Sequence, residues 1–142
     1  GAAYTRKVKV LPIEARTRPQ IEAGFAAMVR ARAEALIVAA DAFFDVEGEL
    51  IIGQTMRNRL PAIFSNREMA EAGGLMSYGQ DLTQHYQRAA DYVAKILRGA
   101  APGMLPIQQP TVLEFIVNEQ TARAIGLTLP PQLLLRADKV LG

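Results

Sequence analysis

Apolar and polar residues in the 142-residue chain recur with two different periods, and the changes of period predict strands that alternate with helices. Val8 to Ile13 alternates with a period of two, which predicts a first strand. Thr17 lies three residues before Gln20, the spacing of a capping box, and this pair predicts the start of a helix. The apolar face of that helix would comprise Ile21, Phe25, Met28 and Val29.

The next apolar segment, Ala35 to Ala40, is continuous and short, which is typical of a central parallel strand covered on both faces. Asp45 then precedes a helical pattern as a candidate N-cap, and Glu47 and Glu49 would lie near the positive end of that helix dipole. The apolar face predicted for this second helix comprises Val46, Leu50, Gly53, Met56 and Leu60.

The segment from Leu60 to Gly79 organises the rest of the chain, because it joins two short apolar runs through a polar loop. Pro61 to Phe64 predicts a short buried strand, and Leu75 to Ser77 predicts its neighbour. Arg67 to Ala72 could form one or two helical turns before two glycines end them. The polar residues that would emerge at the carboxyl end of the first strand, where open α/β sheets bind ligands, are Ser65, Asn66, Arg67 and Glu68.

Asp81 to Arg98 predicts a long amphipathic helix, because Asp81 and Gln84 repeat the capping-box spacing. Its only histidine, His85, would point away from the apolar stripe, which favours a solvated side chain over a catalytic one. The apolar stripe consists of Leu82, Tyr86, Ala89, Val93 and Leu97.

The carboxyl-terminal third predicts one more strand and two helices. Val112 to Val117 is apolar and β-branched, interrupted by Glu114, and predicts a strand that ends at Asn118. Asn118 can cap a short helix that runs through Ile125 and stops at Gly126. A last helical segment, Gln132 to Leu141, would begin after two prolines. The alternation predicts a single α/β domain with three layers, a mostly parallel sheet flanked by helices.

Composition excludes several classes of function. The formal net charge is only +2, basic residues are scattered and no nucleic-acid motif occurs, so nucleic acid is not a predicted partner. The chain has no cysteine and no cluster with metal-ligand spacing, and neither cofactor nor metal is predicted. No apolar run approaches the roughly 20 residues needed to span a bilayer. The missing initiator Met suggests a chain that begins inside a larger precursor.

Polar and aromatic groups at three strand ends are the candidate ligand site. Asp41 with Phe43 and Phe44 could supply a polar anchor and a stacking surface, although Asp41 could equally cap a turn and either Phe could be core. Arg67 offers a bidentate match for a carboxylate, but an ion pair with Glu68 or Glu71 would also explain it. The remaining two candidates, at the ends of the neighbouring strands, are Ser65 and Tyr78.

Three segments of the sequence resemble a known family. They are Ala35 to Ile51, Arg59 to Pro102 and Gln108 to Val140, and their most specific pieces are LPAIFSNREMAEAGGLMSYG (Leu60 to Gly79) and IGLTLPP (Ile125 to Pro131). Together they closely resemble the carboxyl-terminal half of the ABC-transporter substrate-binding proteins of the family that includes tryptophan- and tyrosine-binding members. The resemblance extends from about Lys7 to the end of the chain.

The resemblance implies a type I periplasmic-binding-protein fold, in which two lobes joined by a hinge hold a ligand between them. Residues 1–142 would form the second lobe, and the helix over residues 81–98 would cross to the first lobe, which lies upstream together with any signal sequence. The implied role is capture of a small molecule, an amino acid or an aromatic carboxylate, for a membrane permease outside the cytoplasm. The pocket elements carried over from the family are Asp41, Phe43, Phe44, Ser65, Arg67 and Tyr78.

Two other functions remain open at this stage. A sensory or regulatory domain of the same fold would use the ligand to change a partner contact, and the sequence upstream would distinguish it from an importer component. An enzyme on a flavodoxin-like sheet would need a nucleophile or cofactor fingerprint, and neither is found. If the helix over residues 81–98 lacks its natural cover, its apolar stripe predicts association into a homodimer.

Overall fold

The computed structural model describes residues 8–80, 82–107 and 113–142. A single 3₁₀ turn, Pro102–Met104, accompanies the helices and strands in these ranges. In chain order the other elements are α1 (Arg18–Arg30), β1 (Leu36–Ile37), α2 (Ala42–Val46), α3 (Gly48–Arg57), β2 (Ala62–Phe64), α4 (Arg67–Glu71), β3 (Met76–Gln80), α5 (Leu82–Leu97), β4 (Leu113–Asn118), α6 (Glu119–Ala124), α7 (Pro131–Leu134) and β5 (Lys139–Leu141).

The strands form one sheet with the order β1-β2-β3-β4-β5. β1, β2 and β3 are parallel, β4 is antiparallel to β3, and β5 is parallel to β4. This arrangement confirms the predicted α/β class with a mostly parallel sheet flanked by helices. Because β1, β2 and β3 run in the same direction, the loops that follow β1 and β2 meet at one edge of the sheet.

The main hydrophobic core lies on the face of the sheet that carries Ala62 and Phe64. Phe64 is only 2% exposed, and burial of a phenylalanine side chain contributes about 1.5–3 kcal/mol to folding. The register places Ser77 beside Phe64, so Ser77 shares this buried face while Tyr78 lies on the opposite one. Helices α1, α3 and α4 complete the core with Ile21, Phe25, Met28, Ile51, Ile52 and Met69.

The structure corrects both predictions made for the first strands. Val8 to Ile13 forms no strand and its first residues are exposed, because no described strand lies beside it to accept its backbone hydrogen bonds. Ala35 to Ala40 contains only the two-residue β1, which lies at the edge of the sheet instead of its centre. Ile37 is 80% exposed, so the segment is not covered on both faces.

The helices after β1 also differ from their prediction. Asp41, not Asp45, is the N-cap, and α2 ends after five residues where Glu47 leaves helical geometry. That break rotates the chain, so α3 buries Gly48, Ile51, Ile52 and Thr55 in place of the predicted face that began at Val46. Val46 is exposed, as is Val29, which was predicted on the apolar face of α1.

The carboxyl-terminal third is confirmed in its first part and corrected in its last. Asn118 caps α6 by accepting a hydrogen bond from Thr121 N at 2.9 Å, and Gly126 ends the turn with a φ of 80°. The predicted last helix stops at Leu134, and residues 139–141 form β5 instead. Asp138 explains the change, because its N–H donates to Phe115 O at 2.8 Å and its carboxylate accepts from Phe115 N at 2.7 Å, which joins this segment to β4.

Helix α5 confirms the long helix predicted from the sequence. Its apolar side chains Tyr86, Val93 and Leu97 are 75%, 54% and 82% exposed, so the described part of the chain leaves this stripe uncovered. The predicted capping pair, Asp81 and the side chain of Gln84, lies outside the described residues, as does Val112 of the predicted strand Val112 to Val117. Among the described residues, no helix is both long and apolar enough to traverse a bilayer.

Candidate functional site

The candidate site is the end of the sheet at which the parallel strands β1, β2 and β3 terminate, and we call it the carboxyl rim. Asp41 follows β1, Ser65 follows β2, and Gln80 is the last residue of β3. Asn66 joins the loop after β2 to helix α2, because its side-chain amide donates to Asp45 Oδ1 at 2.7 Å. The fold therefore brings Asp41, Ser65 and Arg67 to the same rim, as their positions after parallel strands predicted.

Asp41 has a structural role at this rim. Its Oδ1 accepts a hydrogen bond from Phe43 N at 2.8 Å and so caps α2. This is one of the two interpretations that the sequence left open, and it fixes the start of the short helix that carries both phenylalanines. The residue stays exposed, so the same carboxylate lies at the surface of the rim.

Phe43 and Phe44 lie at the border between the rim and the core. Their ring centroids are 5.6 Å apart with a tilt of 52°, and both rings are half-buried and pack against the main core. Phe44 also lines an apolar cavity of about 120 Å³ between α1 and β1, together with Ile37 and Val38. The sequence left open whether these phenylalanines belong to the core or face a ligand. Each ring packs against the core and also keeps part of its surface exposed.

Arg67 belongs to a network of ion pairs that includes Glu71, Glu114 and Lys139 among the described residues. Its Nη1 lies 3.2 Å from Glu114 Oε2, and its Nη2 lies 2.9 Å from Glu71 Oε1. Lys139 Nζ also contacts Glu71 Oε1 at 2.9 Å. The hydrogen bond from Lys139, and then that from Arg67, hold the pKa of the Glu71 carboxyl below its ordinary value. A ligand carboxylate at Arg67 would therefore compete with Glu71 and Glu114.

Glu114 was missed as a member of this site. Glu68 and Glu71 were the partners that the sequence suggested for Arg67, because both lie within one helical turn of it. The available signal was that Glu114 is a charged residue within an apolar strand pattern, which is unusual unless the charge has a partner. Asn66 was also overlooked as a cap, although its Oδ1 accepts from Met69 N at 3.2 Å and Asn is a preferred N-cap residue.

Tyr78 is separated from the phenylalanines by the sheet. It is 52% exposed, and its ring contacts the edge of Phe115 on β4 at a centroid distance of 6.3 Å. Its neighbour Ser77 is buried, and the Ser77 hydroxyl donates to no protein atom. Tyr78 therefore marks the point where β3 and β4 pair near the rim, on the face opposite to Phe64.

Ser65 is held against β3 by a close backbone approach. A Cβ atom added to Gly79 would lie only 1.7 Å from Ser65 O, so only glycine fits there. Ser65 is half-buried, and its loop cannot move away from β3 without opening this contact. This contact explains why glycine stands at the end of the segment from Leu60 to Gly79.

Two observations limit the chemistry of the described residues. No group of three His, Cys, Asp or Glu side chains in residues 8–80, 82–107 and 113–142 could hold a metal ion. His85, predicted as solvated, is half-buried with an Nε2 atom that has no hydrogen-bond partner. The rim thus offers hydrogen bonding, charge and aromatic contact, which are the means of non-covalent binding.

A comparison with protein families identifies the chain. The family model described as ABC transporter substrate binding protein matches residues 2–141. The chain belongs to this family. The match confirms the resemblance seen in the sequence, and because the family consists of substrate-binding proteins and not of enzymes, it also confirms the prediction that this member is not an enzyme. No curated protein sequence matches the chain significantly.

Three solved structures share the fold of this substrate-binding chain. A conserved domain protein from Vibrio cholerae O1 biovar El Tor is 24% identical, with a TM-score of 0.87 over 98% of this chain and 47% of its own. An ABC domain in complex with L-Trp from Streptococcus pneumoniae is 21% identical, with a TM-score of 0.85 over 98% of this chain and 48% of its own.

The third structure is a ligand-free, open substrate-binding protein with adhesive properties from Clostridium difficile. It is 21% identical, with a TM-score of 0.66 over 99% of this chain and 46% of its own. The substrate-binding chain therefore spans about half the length of each of these three structures.

Proposed function

We propose that this chain is the second lobe of the solute-binding component of an ABC importer, and that it captures a small molecule without covalent chemistry. The family match over residues 2–141 carries the proposal. The position of Asp41, Ser65 and Arg67 at the ends of parallel strands agrees with it, because ligands of open α/β sheets bind at such ends. The importer would act outside the cytoplasm with a membrane permease as its partner.

The proposed ligand is an amino acid or an aromatic carboxylate. Arg67 offers a planar cation for a carboxylate, and Phe43 and Phe44 offer ring surface near the same edge. A structure with the same fold holds L-Trp, which agrees with this class of ligand. A bound carboxylate would replace Glu114 or Glu71 as the partner of Arg67, so recognition would include the opening of an existing ion pair.

The proposed binding site is a cleft between two lobes, of which the carboxyl rim is one wall. The neighbours of this fold are about twice as long as the chain, which leaves room for a first lobe that supplies the other wall. Neither the 120 Å³ cavity nor a second one of about 200 Å³ is lined by Ser65, Arg67 or Tyr78. The rim alone would bind weakly, because closure supplies further contacts and excludes water.

Helix α5 is the proposed contact with the first lobe. It leaves the sheet after β3, and the chain returns to the sheet at β4 beside the same strand. Its exposed stripe of Tyr86, Val93 and Leu97 would pack on the other lobe in the full-length protein. In the 142-residue chain alone, the same stripe would associate with a second copy.

Calorimetry on the full-length protein would test the ligand class. Aromatic and aliphatic amino acids and small aromatic acids are compared with sugars and with inorganic anions, and an amino acid or aromatic acid should bind. Tyr78→Ala should weaken that binding by up to about tenfold, since a lost aromatic contact removes about 0.5–1.5 kcal/mol. The control Arg136→Ala, at an exposed position outside the rim, should leave affinity unchanged. Binding of another solute class only, with no response to these acids, would refute the proposed ligand.

A further inference from the structure

Two helices that precede neighbouring strands each end at a left-handed residue that is not glycine. At the end of α1, Arg32 N donates to Val29 O at 3.0 Å and Ala33 N donates to Met28 O at 2.9 Å. At the end of α3, Arg59 N donates to Met56 O at 3.2 Å and Leu60 N donates to Thr55 O at 2.9 Å. Both are Schellman motifs, and their left-handed residues are Arg32 with a φ of 54° and Arg59 with a φ of 48°.

The other left-handed helix ends in this chain use glycine. Gly73, Gly99 and Gly126 follow α4, α5 and α6 with φ values of 109°, 98° and 80°. Glycine takes this conformation without steric cost, whereas a side chain with a Cβ atom is strained. Two arginines in the strained position indicate that their side chains serve a purpose other than the turn.

Helix-dipole compensation does not explain these two residues. Arg30 and Arg57 already lie in the last turns of α1 and α3, where a cation interacts favourably with the negative end of the helix. Arg32 and Arg59 therefore add charge beyond what each helix end needs. The repeated spacing, Arg30 with Arg32 and Arg57 with Arg59, gives two matching pairs.

The two pairs are neighbours at the amino-terminal ends of β1 and β2, which is the end of the sheet opposite to the carboxyl rim. β1 and β2 begin side by side there, and Leu36 N donates to Pro61 O at 2.8 Å. A cavity of about 200 Å³ lies between the two helix ends, with Arg32 and Asn58 at its polar side and an apolar floor. The floor is formed by Met28, Val29, Ala33 and Leu60.

This edge is strongly basic and accessible. We call it the arginine edge, and it comprises Arg30, Arg32, Arg57 and Arg59, which are all exposed. In the described part of the chain none of the four has a side-chain hydrogen bond or an ion pair. Glu34 is the one acidic residue in segments 28–36 and 54–62, so four positive charges and one negative leave this edge with +3.

We propose that the arginine edge binds the phosphate groups of an anionic lipid surface. Guanidinium groups match phosphate oxygens in bidentate geometry, and each basic residue near an anionic membrane contributes about 1 kcal/mol, or roughly fivefold in affinity. The choice of a membrane rests on the proposed importer role. The arginine edge and the carboxyl rim lie at opposite ends of β1 and β2, so the lobe would bind lipid with its rim still accessible to a solute.

The geometry favours a lipid surface over two other anions. A free phosphate ion needs donors that converge on one point, whereas these arginines are exposed and distributed over two helix ends. Single-stranded nucleic acid would favour aromatic rings for base stacking, and the residues that line the cavity include none. A layer of lipid headgroups presents many phosphates, which can contact both arginine pairs simultaneously.

Flotation with vesicles of phosphatidylglycerol and phosphatidylcholine tests the proposal in the absence of solute. The protein should bind the anionic vesicles and not the neutral ones, and binding should fall steeply as salt is raised. The double variant Arg32→Gly, Arg59→Gly should lose about 25-fold in affinity, two factors of about five. Its melting temperature should be equal or higher, because glycine relieves both strained positions.

A charge-matched control separates the arginine edge from net charge. Arg98→Gln with Arg136→Gln removes the same two charges from exposed positions elsewhere and should bind vesicles almost normally. Equal binding of both double variants, or equal binding to neutral vesicles, would overturn the proposal. Inhibition by millimolar inorganic phosphate would overturn it in favour of a small-anion site, and tighter binding to single-stranded DNA would overturn it in favour of nucleic acid. Solute affinity is measured separately, so failure here would not affect the proposed ligand class.

Discussion

Single residues decide where the short helices that follow the strands begin. Asn118 was predicted as a helix cap from its position after an apolar strand, and the structure confirms it. Asp45 was the wrong choice of cap for the helix predicted after β1. The turn at Glu47 divides that helix into α2 and α3, and Asp41 caps α2. Short-range capping is readable from sequence, but the choice between two nearby Asp residues depends on a break that no local pattern shows.

Gly79 supports a prediction about the closest backbone approach at the rim. Gly79→Ala should lower the free energy of unfolding by about 1–3 kcal/mol or more, because the new Cβ would collide with backbone atoms that cannot yield as a flexible side chain could. Gly53→Ala is the matched control, since Gly53 lies inside α3 with nothing within 4 Å of its Cβ position. That variant should gain about 1 kcal/mol from helix propensity. Urea denaturation of both variants measures the difference, and equal stability of the two would contradict the structure.

At the scale of elements, sequence patterns identified most helices and strands but not all their neighbours. β2, α4 and α5 were predicted at nearly their observed places, because each has a local signal in period or glycine. β3 extends to Gln80, three residues beyond its predicted end at Ser77, so Tyr78 lies within the strand and not after it. The edge position of β1 and the strand at residues 139–141 were not predicted. Both depend on which strand lies alongside, and pairing between segments distant in sequence has no local signature.

The ion pair between Glu71 on α4 and Lys139 on β5 leads to a prediction about how stability depends on pH. The folded-state pKa of Glu71 is lowered by Lys139 and Arg67, so its stabilising effect is complete above the ordinary Glu pKa of about 4.3 and is lost as pH falls through the lowered value. Glu71→Gln should therefore reduce stability at pH 7 by about 1 kcal/mol or less, as is typical of exposed pairs.

Denaturant titrations of the parent and Glu71→Gln at neutral and strongly acidic pH test this expectation. The two proteins should converge in stability at acidic pH, where the carboxylate is protonated in both folded and unfolded chains. Glu68→Gln, an exposed neighbour on the same helix, is the control. A difference that grows on acidification would have the wrong sign and would exclude the proposed linkage.

At the scale of the whole molecule, the location of the candidate site was predictable and its internal contacts were not. Strand ends in a parallel sheet converge, so Asp41, Ser65 and Arg67 could be assigned to one rim from order alone. The contact between Arg67 and Glu114 could not, because it joins residues 47 positions apart through the antiparallel return of β4. That return interrupts an otherwise parallel sheet and follows the excursion through α5.

The exposed stripe of α5 supports a prediction about assembly. The 142-residue chain should form a dimer at high concentration, because Tyr86, Val93 and Leu97 would otherwise remain in water. Val93→Gln with Leu97→Gln should shift the equilibrium to monomer by at least tenfold, since each lost apolar contact removes about 1 kcal/mol or more. Small-angle scattering across a concentration series measures the shift. Asp91→Gln with Lys95→Gln, which preserves net charge, is the control, and a compact monomer of the parent chain at every concentration would refute dimerisation.

The outer edge of β1 also affects how long the folded chain survives. No described strand lies beside it, and Ile37 is largely exposed. The surrounding hexapeptide, Ala35 to Ala40, has no charge, proline or glycine, which is the composition of segments that stack into cross-β fibrils. A molecule that opens here can add to another one before it refolds. The useful lifetime of the isolated chain would then be governed by its rate of opening, with its equilibrium stability of secondary importance.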